Sequence, residues 1–411
     1  MRFLFRPPAT EAAGLLALPW DLPLEEWPDD VVTPVPQRGI SRHVVRFVAV
    51  EGTLYALKEI VEPLARKEYA LLTEFAAEGL PAVQALGICV DRPGGLPAIL
   101  VTRYPDYSVS YRHLFSTPRG EHSATQLVDT MVGLLVRLHL DGVFWGDPSL
   151  SNTLFRPDAG TMSAYLVDAE TVERLRSLSP GQRHYDVDLA TDRVGAELMD
   201  LEFGGLLPRD IDPIEMATGL RAKYDALWDE LTREVVVAPE EQRYKVAERL
   251  QRLNDLGFDA GEVELVTSPQ GSRLRVQTQV AEPGHHRREF FRLTGLEVQE
   301  NQARRLLNDL RSWRAWLEQR DGVVVSETVA GHRWVSEIYA PVVESIPNEL
   351  VGRLAPAEVF HEILEHRWFL SEQAGADVGT TAAARSYFET VLPESAPEVT
   401  SPSAMLGLLA L

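Results

Sequence analysis

One cysteine, Cys89, stands in 411 residues, so no intramolecular disulfide can form and a cysteine-built zinc site is excluded. Basic residues are the next shortage. Against 61 Asp+Glu there are 40 Lys+Arg, a formal net charge of -21. Nucleic acid and anionic membrane each call for a net basic face, so neither is expected as the main partner, although a local basic patch is compatible with this balance. Long apolar runs are missing as well. Ala12 to Trp20 is short and broken by Pro19, and the charged start at Arg2 and Arg6 leads into Pro7-Pro8 and Glu11 without a small-residue cleavage site. The closing stretch Ser403–Leu411 is mostly apolar but falls well short of the roughly 20 residues that span a bilayer. A cytoplasmic protein without a membrane span is the expectation. A P-loop lysine, a Rossmann fingerprint and a nucleophile-elbow serine are absent too.

What remains is an ordinary globular composition, 45% hydrophobic and 25% charged, at a length that suggests about two or three domains. Residues 1–35, rich in Pro and Trp, read as an extended arm. His43–Val50 and Leu54–Ile60, separated by Glu51-Gly52-Thr53, read as a hairpin. Pro63 opens a helix that ends near Gly79, with Leu64, Leu71, Leu72 and Phe75 on one face. Strands are expected at Ala82–Val90 and Ala98–Tyr104. The pattern then turns helical. Thr125–Leu140 carries Leu127, Met131, Leu134, Leu135 and Leu138 as an apolar stripe. Short strands follow at Thr153–Phe155 and Ala164–Val167, then helices at Leu189–Leu201 and Pro213–Glu234. Past Ala238-Pro239 a different region begins. It should hold a helix at Glu240–Leu256, strands at Glu262–Val266 and Arg273–Val280, an Arg-rich helix at Gln302–Gln319 and further helices.

The chemistry-bearing residues fall into two groups. Ala56-Leu57-Lys58 places a small residue and a cation on one face of a strand. Ten residues on, Glu68 projects from the buried stripe of the next helix, where a carboxylate needs a partner; Lys58 is the natural one, and a partly exposed Glu at the stripe's edge is the plainer alternative. The second group is Trp145-Gly146-Asp147, then Asn152, then Tyr165-Leu166-Val167-Asp168 at the end of an apolar strand. Two carboxylates and an amide on loop and strand-end positions suit Mg²⁺ and a base that orients a nucleophile.

Taken in this order and spacing, residues 36 to about 225 resemble the protein-kinase-like superfamily, in the branch of the aminoglycoside phosphotransferases and lipopolysaccharide core kinases. The A-x-K strand is Ala56-Leu57-Lys58, the helix glutamate is Glu68, the D-x-x-x-x-N loop is Asp147–Asn152, and Asp168-Ala169-Glu170 holds the D-F-G position. The resemblance implies an α+β, bilobal protein-kinase-like fold, with a β-rich lobe over 36–103 and a helical lobe over 104–237. An N-terminal extension, 1–35, would precede it and a mixed α/β C-terminal domain, 238–411, would follow. It also implies ATP and Mg²⁺. Lys58 would hold the α/β-phosphates and pair with Glu68, Asp147 would accept the proton of the attacking hydroxyl, and Asn152 and Asp168 would bind the metal. The adenine would lie against Ala56, Thr102, Arg103 and Tyr104. Asp188 looks like the helix-start residue that braces the catalytic loop, with Asp186 as its competitor. Residues 238–411 resemble an uncharacterised domain that follows such kinase-like domains in some bacterial proteins, which names no activity.

The departures narrow the substrate. Arg38-Gly39-Ile40-Ser41-Arg42-His43 stands where a G-x-G-x-x-G loop is usual; Ser41, helped by Arg42 or His43, is the candidate phosphate contact, and a plain surface turn is the alternative. Gly146 removes the arginine that reads a phosphorylated activation loop. Ser149 and Ser151 occupy the places where protein kinases carry a Lys or an Arg. Glu170 adds a carboxylate where glycine is usual. The expected activity is therefore transfer of the γ-phosphate of ATP to a hydroxyl of a small molecule such as a sugar, polyol or aminoglycoside. An atypical protein kinase and a nucleotide-binding pseudokinase scaffold are the rivals. His361 and His366 are five residues apart, about 140° round a helix, so His361-Glu362-Ile363-Leu364-Glu365-His366 is not a zinc-protease motif. His285-His286-Arg287-Arg288 with Arg304, Arg305, Arg311 and Arg314 is either an anion site or a solvated helix face. Oligomeric state is not readable from these patterns.

Overall fold

A computed structural model describes residues 1–35, 43–115, 120–158, 161–209, 211–232, 235–237, 262–267, 274–279, 285–321, 325–374 and 378–394. Its class is α+β, built from helices and antiparallel sheets. The largest sheet has the order β1-β4-β5-β3-β2, with β1 Arg2–Phe5, β2 Val44–Val50, β3 Thr53–Ile60, β4 Gln84–Val90 and β5 Ala98–Arg103. The β2–β3 hairpin turns on Glu51 at φ 49° and Gly52 at φ 85°. Positive φ at both central residues is what a two-residue turn with the twist of its strands demands. Helix α2, Glu62–Glu78, starts on Pro63 and stops on Gly79, whose φ of 73° places it in the left-handed region.

Residues 1–35 are more than the arm expected from their composition. β1 pairs with the edge of β4, and α1, Ala12–Leu16, folds back with the two tryptophans onto the sheet. Leu15, Trp20, Leu24 and Trp27 form one buried cluster with Val48, Tyr55, Leu57, Cys89, Ile99 and Val101. The opposite face packs Ile60, Ile88 and Leu100 against Ala65 of α2. The alternating apolar pattern of β3 thus serves two separate cores, one per face. Arg92, whose side chain is fully buried, fastens the arm. Its Nε donates to the Trp20 carbonyl at 2.8 Å, and Nη1 donates to Glu59 Oε1 at 2.5 Å and the Pro97 carbonyl at 2.7 Å.

Below the sheet lies a helical layer of α3 (Tyr111–Phe115), α4 (Gly120–Leu140), α5 (Pro180–Phe203) and α6 (Pro213–Thr232). Leu127, Met131, Leu134, Leu135 and Leu138 of α4 all lie in its core. α5 begins nine residues before the expected start because Ser179 and Gln182 form a capping box around Pro180. Four short strands stand between α4 and α5. β6 (Val143–Phe144) pairs with β9 (Glu173–Arg174), and β7 (Thr153–Asp158) pairs with β8 (Thr161–Leu166). The Val83 amide donates to the Leu166 carbonyl at 2.9 Å, tying this hairpin to the segment that leads into β4.

In the C-terminal part, Glu262–Thr267 and Leu274–Gln279 pair antiparallel, as their alternation suggested, and Val235–Val237 extends the sheet. The expected helix at 240–256 lies outside the described residues. Helices His285–Thr294, Glu300–Asp321, Glu327–Trp334, Pro356–Ala374 and Thr380–Thr390 bury Phe290, Leu306, Trp334, Phe360 and Tyr387 in a core of their own. This unit grips the turn end of β7–β8. Asp158, fully buried, accepts from the Gln302 amide at 2.9 Å and the Asn301 amide at 3.3 Å, capping helix Glu300–Asp321 from another part of the chain. Burial holds the Asp158 carboxyl above the usual carboxylate range even though these amides and Ser163 pull it down.

Replacing Arg92 by Met would take the guanidinium from Glu59 and from the arm carbonyls of Trp20 and Leu22 inside the protein. A loss of about 3–5 kcal/mol is expected in urea unfolding, with Trp fluorescence reporting release of Trp20 and Trp27; an unchanged midpoint would show that the arm is held by apolar contact alone.

Candidate functional site

The site is assembled around one ammonium group. Strand alternation turns Lys58 of β3 toward α2, where Glu68 is buried at 1% exposure. Lys58 Nζ lies 3.2 Å from Glu68 Oε2, 2.9 Å from Asp168 Oδ1 and 3.6 Å from Glu170 Oε2. The edge-of-stripe alternative for Glu68 is therefore set aside by its burial and its partners. The Ala169 amide donates to Glu68 Oε1 at 3.1 Å, and the Glu170 amide donates to Asp168 Oδ1 at 3.0 Å. Three carboxylates thus share one cation. Desolvation alone would lower the Lys58 pKa, but Glu68 and Asp168 outweigh it and hold it above the ordinary lysine value. The surplus negative charge falls on the most buried acid: burial, then the neighbouring Asp168, push Glu68 up to about 7 against the pull of Lys58.

The second part is the loop between β6 and β7. Asp186, fully buried on α5, accepts from the Trp145 amide at 2.8 Å and the Gly146 amide at 2.9 Å. Asp188, the residue favoured from sequence as the brace, instead faces solvent and pairs with Arg221. One helical turn does not separate the two; a step of two residues moves a side chain about 200° round the helix, so only one of them can face the loop. Behind Asp186 runs a polar chain: His139 Nε2 donates to Asp186 Oδ2 at 3.0 Å, Tyr224 OH lies 2.7 Å from His139 Nδ1, and Arg183 reaches Tyr224 OH at 3.4 Å. Since a carboxylate only accepts, Nε2 carries a proton. Gly146 has φ 80°, and a Cβ there would sit 2.9 Å from the Thr171 carbonyl oxygen. Glycine at this position is thus a backbone requirement of the loop.

Asp147 follows, 23% exposed, and Asn152 closes the loop. Asn152 Nδ2 donates to the Asp147 carbonyl at 3.1 Å and to Asp147 Oδ2 at 3.3 Å. Asn152 and Asp168 flank the open end of the β7–β8 hairpin, where the Val167 amide donates to the Asn152 carbonyl at 3.0 Å. Among the described residues no three His, Cys, Asp or Glu side chains converge as a closed metal cage. An oxygen set of one carboxylate and one amide fits Mg²⁺, which takes few protein ligands and completes its shell with water and phosphate. Ala56 pairs with Thr102 across β3 and β5, and Phe47 lies opposite Ala56 on β2, with Tyr104 buried edge-on 5.7 Å from the Phe47 ring. These form one row on the sheet face that carries Lys58. Ser41 and Arg42 lie outside the described residues. His43 Nε2 is 2.8 Å from Glu170 Oε2.

Three contributors escaped sequence reasoning. Glu197 accepts from the Leu150 amide at 2.7 Å and the Ser151 amide at 2.9 Å, with burial raising its pKa. Arg193 Nε lies 3.1 Å from Asp147 Oδ1. Lys67 Nζ donates to the Glu170 carbonyl at 2.9 Å. A signal existed for the first two: Asp186, Arg193 and Glu197 are spaced seven and four residues apart, which keeps them within about 40° on one helix face. At the other end of the chain, His361 pairs with Glu365 and His366 with Ser386, so the two histidines have separate partners.

A family profile described as "Domain of unknown function (DUF4032)" matches residues 226–392, under half of the chain. Those residues carry that domain. Its start falls within α6, ahead of the composition change at 238. A search of curated proteins finds no relative of this sequence. Among solved structures, "WaaP in complex with acyl carrier protein" is similar at 16% identity, covering 56% of this chain and 100% of that one with a TM-score of 0.33. A TM-score that low decides nothing about this chain. Among the described residues no helix is long and apolar enough to cross a membrane.

Asp186→Asn should lower stability by about 1–3 kcal/mol, because one buried amide loses its acceptor, whereas Asp188→Asn should change it by less than about 1 kcal/mol; urea unfolding of the two variants side by side checks the assignment. Glu68 supplies a pH test. Its raised value means the folded state holds the proton more tightly than the unfolded chain, so this stability is present below the ordinary carboxylate value and lost as pH rises through about 7. Glu68→Gln does not titrate. Relative to wild type, its thermal midpoint should climb between about pH 5 and about pH 8, and a constant offset would show Glu68 ionised throughout.

Proposed function

We propose that the chain is an ATP- and Mg²⁺-dependent phosphotransferase with a bilobal protein-kinase-like fold, moving the γ-phosphate to a hydroxyl of a small molecule. The observation that carries this reading is the meeting of Lys58, Glu68 and Asp168 around one ammonium, beside a loop that holds Asp147 and Asn152 together. Each residue has a task that phosphoryl transfer needs and a purely structural core does not. Lys58 neutralises phosphate oxygens, and Glu68 keeps it oriented. Asp147, set at the mouth of the loop, accepts the hydroxyl proton and aligns the oxygen that attacks. Asn152 and Asp168 would hold Mg²⁺, which when bound would neutralise charge on the phosphates. The crowding of three carboxylates round Lys58 favours this, since a divalent cation at Asp168 would relieve it.

In this reading the adenine packs between the two layers on the row of Ala56 and Thr102, with Tyr104 supporting it through Phe47, and Ser41 and Arg42 cover the phosphates. A small acceptor is favoured over a protein by the loop itself. Ser149 is 5% exposed and hydrogen-bonded inward to the Asn152 amide, so position 149 presents no cation to a protein substrate. A sugar, polyol or aminoglycoside hydroxyl is the acceptor class, and catalysis is mainly positioning and charge neutralisation. The work is expected to be done in the cytoplasm.

The test is ADP release from Mg-ATP in the presence of pooled sugars, polyols and aminoglycosides. Wild type should turn over with a stimulating pool and stop when EDTA removes the metal. Asp147→Asn should lose at least about a hundredfold in turnover while still binding nucleotide. Full turnover in that variant would remove Asp147 as the base. Tight nucleotide binding without turnover in any pool would favour a pseudokinase scaffold.

A further inference from the structure

We propose that Arg193 is the positioning residue of the transfer step, supplying from α5 the positive charge that the loop lacks at Ser149 and Ser151. This rests on the phosphotransferase reading and adds a residue to its acceptor side. Arg193 Nε lies 3.1 Å from Asp147 Oδ1, while Asn152 Nδ2 lies 3.3 Å from Oδ2. One oxygen of the carboxylate thus faces a cation and the other accepts from an amide, so the group is held from both sides. The arrangement is not required to hold the loop. Asp186 and Glu197 already take four of its backbone amides, at Trp145, Gly146, Leu150 and Ser151. Arg193 is 51% exposed, and an ion pair so wetted adds little to stability.

What such a cation does add is fixed charge where charge moves. Asp147 takes the proton of the acceptor hydroxyl as that oxygen bonds to the γ-phosphorus. The bond from phosphorus to the departing ADP breaks, and the electron pair leaves with ADP. Through this step the guanidinium holds Asp147 in line and remains charged at any working pH. Asp147 meets the acceptor oxygen and not ATP, so loss of this alignment falls on the transition state more than on bound ATP. Asp186, Arg193 and Glu197 on one face of α5 then form a single platform: two carboxylates hold the loop's backbone and the arginine orients its reactive side chain.

Three measurements on Arg193→Ala, Arg193→Lys and wild type test this. Arg193→Ala should lower kcat for ADP release at least about tenfold and leave the KM for ATP within about twofold. By calorimetry, aluminium fluoride should tighten MgADP binding to wild type, and Arg193→Ala should lose about tenfold of that tightening with MgADP alone unaffected. Added guanidinium should restore part of the turnover of Arg193→Ala, and Arg193→Lys should fall between the two. Unchanged kcat and unchanged tightening in Arg193→Ala, with wild type active, would reduce Arg193 to a surface ion pair and leave the phosphotransferase reading intact. A lowered thermal midpoint in Arg193→Ala without guanidinium rescue would make the residue structural and overturn the proposal. A wild type that neither turns over nor tightens on MgADP would overturn the phosphotransferase reading itself, and the role of Arg193 with it.

Discussion

A single ammonium joins three parts of this protein that apolar packing brings side by side. Lys58 comes from a sheet strand, Glu68 from the helix that packs on that sheet, and Asp168 from the strand end that closes the helical layer. Taking these charges out of water is unfavourable unless each finds a partner, so the arrangement tolerates little slack. If α2 shifts, Glu68 is left without its cation. If the loop after β8 moves, the Ala169 amide leaves Glu68 and Asp168 leaves Lys58. Packing sets the approach of sheet, helix and loop, and this cluster fixes their register where the candidate site lies.

The helical layer works to the same end by different means. α5 is an amphipathic helix whose inner face carries Asp186 and Glu197 to bare amides of the loop, and whose outer edge carries Arg193 to Asp147. The amides that the loop's own hydrogen bonds leave bare are satisfied by these acceptors from outside it. The β7–β8 hairpin reaches in both directions. Its open end is flanked by Asn152 and Asp168, and at its other end Asp158 caps a helix of the DUF4032 region through the Asn301 and Gln302 amides. The domain of unknown function is therefore anchored to the element that carries the candidate metal ligands, by buried polar contacts as well as by packing.

Much of this was legible beforehand. The A-x-K strand, the turn at Glu51-Gly52, the Pro63 start and Gly79 stop of α2 and the apolar stripe of α4 all follow from local rules of turn, cap and periodicity, and each is where those rules put it. Residues 1–35 depart from those local rules. Pro19-Trp20 and Trp27-Pro28 read as an arm because proline suppresses local periodicity, yet the tryptophans fill the back of the sheet and Arg92 ties their backbone down. Asp188 was favoured over Asp186 for a related reason: both lie on α5, and choosing between them depends on which way the helix is rotated against the loop. The partners of Arg193 and Glu197 were unreadable for the same cause.

The amino-acid sequence by itself determined the classes excluded by one cysteine and a charge of -21, the order of the elements, and the set Lys58, Glu68, Asp147, Asn152 and Asp168 as the residues to watch. These are properties of composition and of short-range spacing, which backbone geometry and helix or strand period translate directly. Only the tertiary structure decided that Glu68 is buried against Lys58, that Asp186 is the brace, that Gly146 is required by the Thr171 carbonyl, and that a cation from α5 stands at Asp147. Each of those depends on the rotation and approach of elements distant in the chain, where a fraction of a helical turn decides which side chain meets which partner.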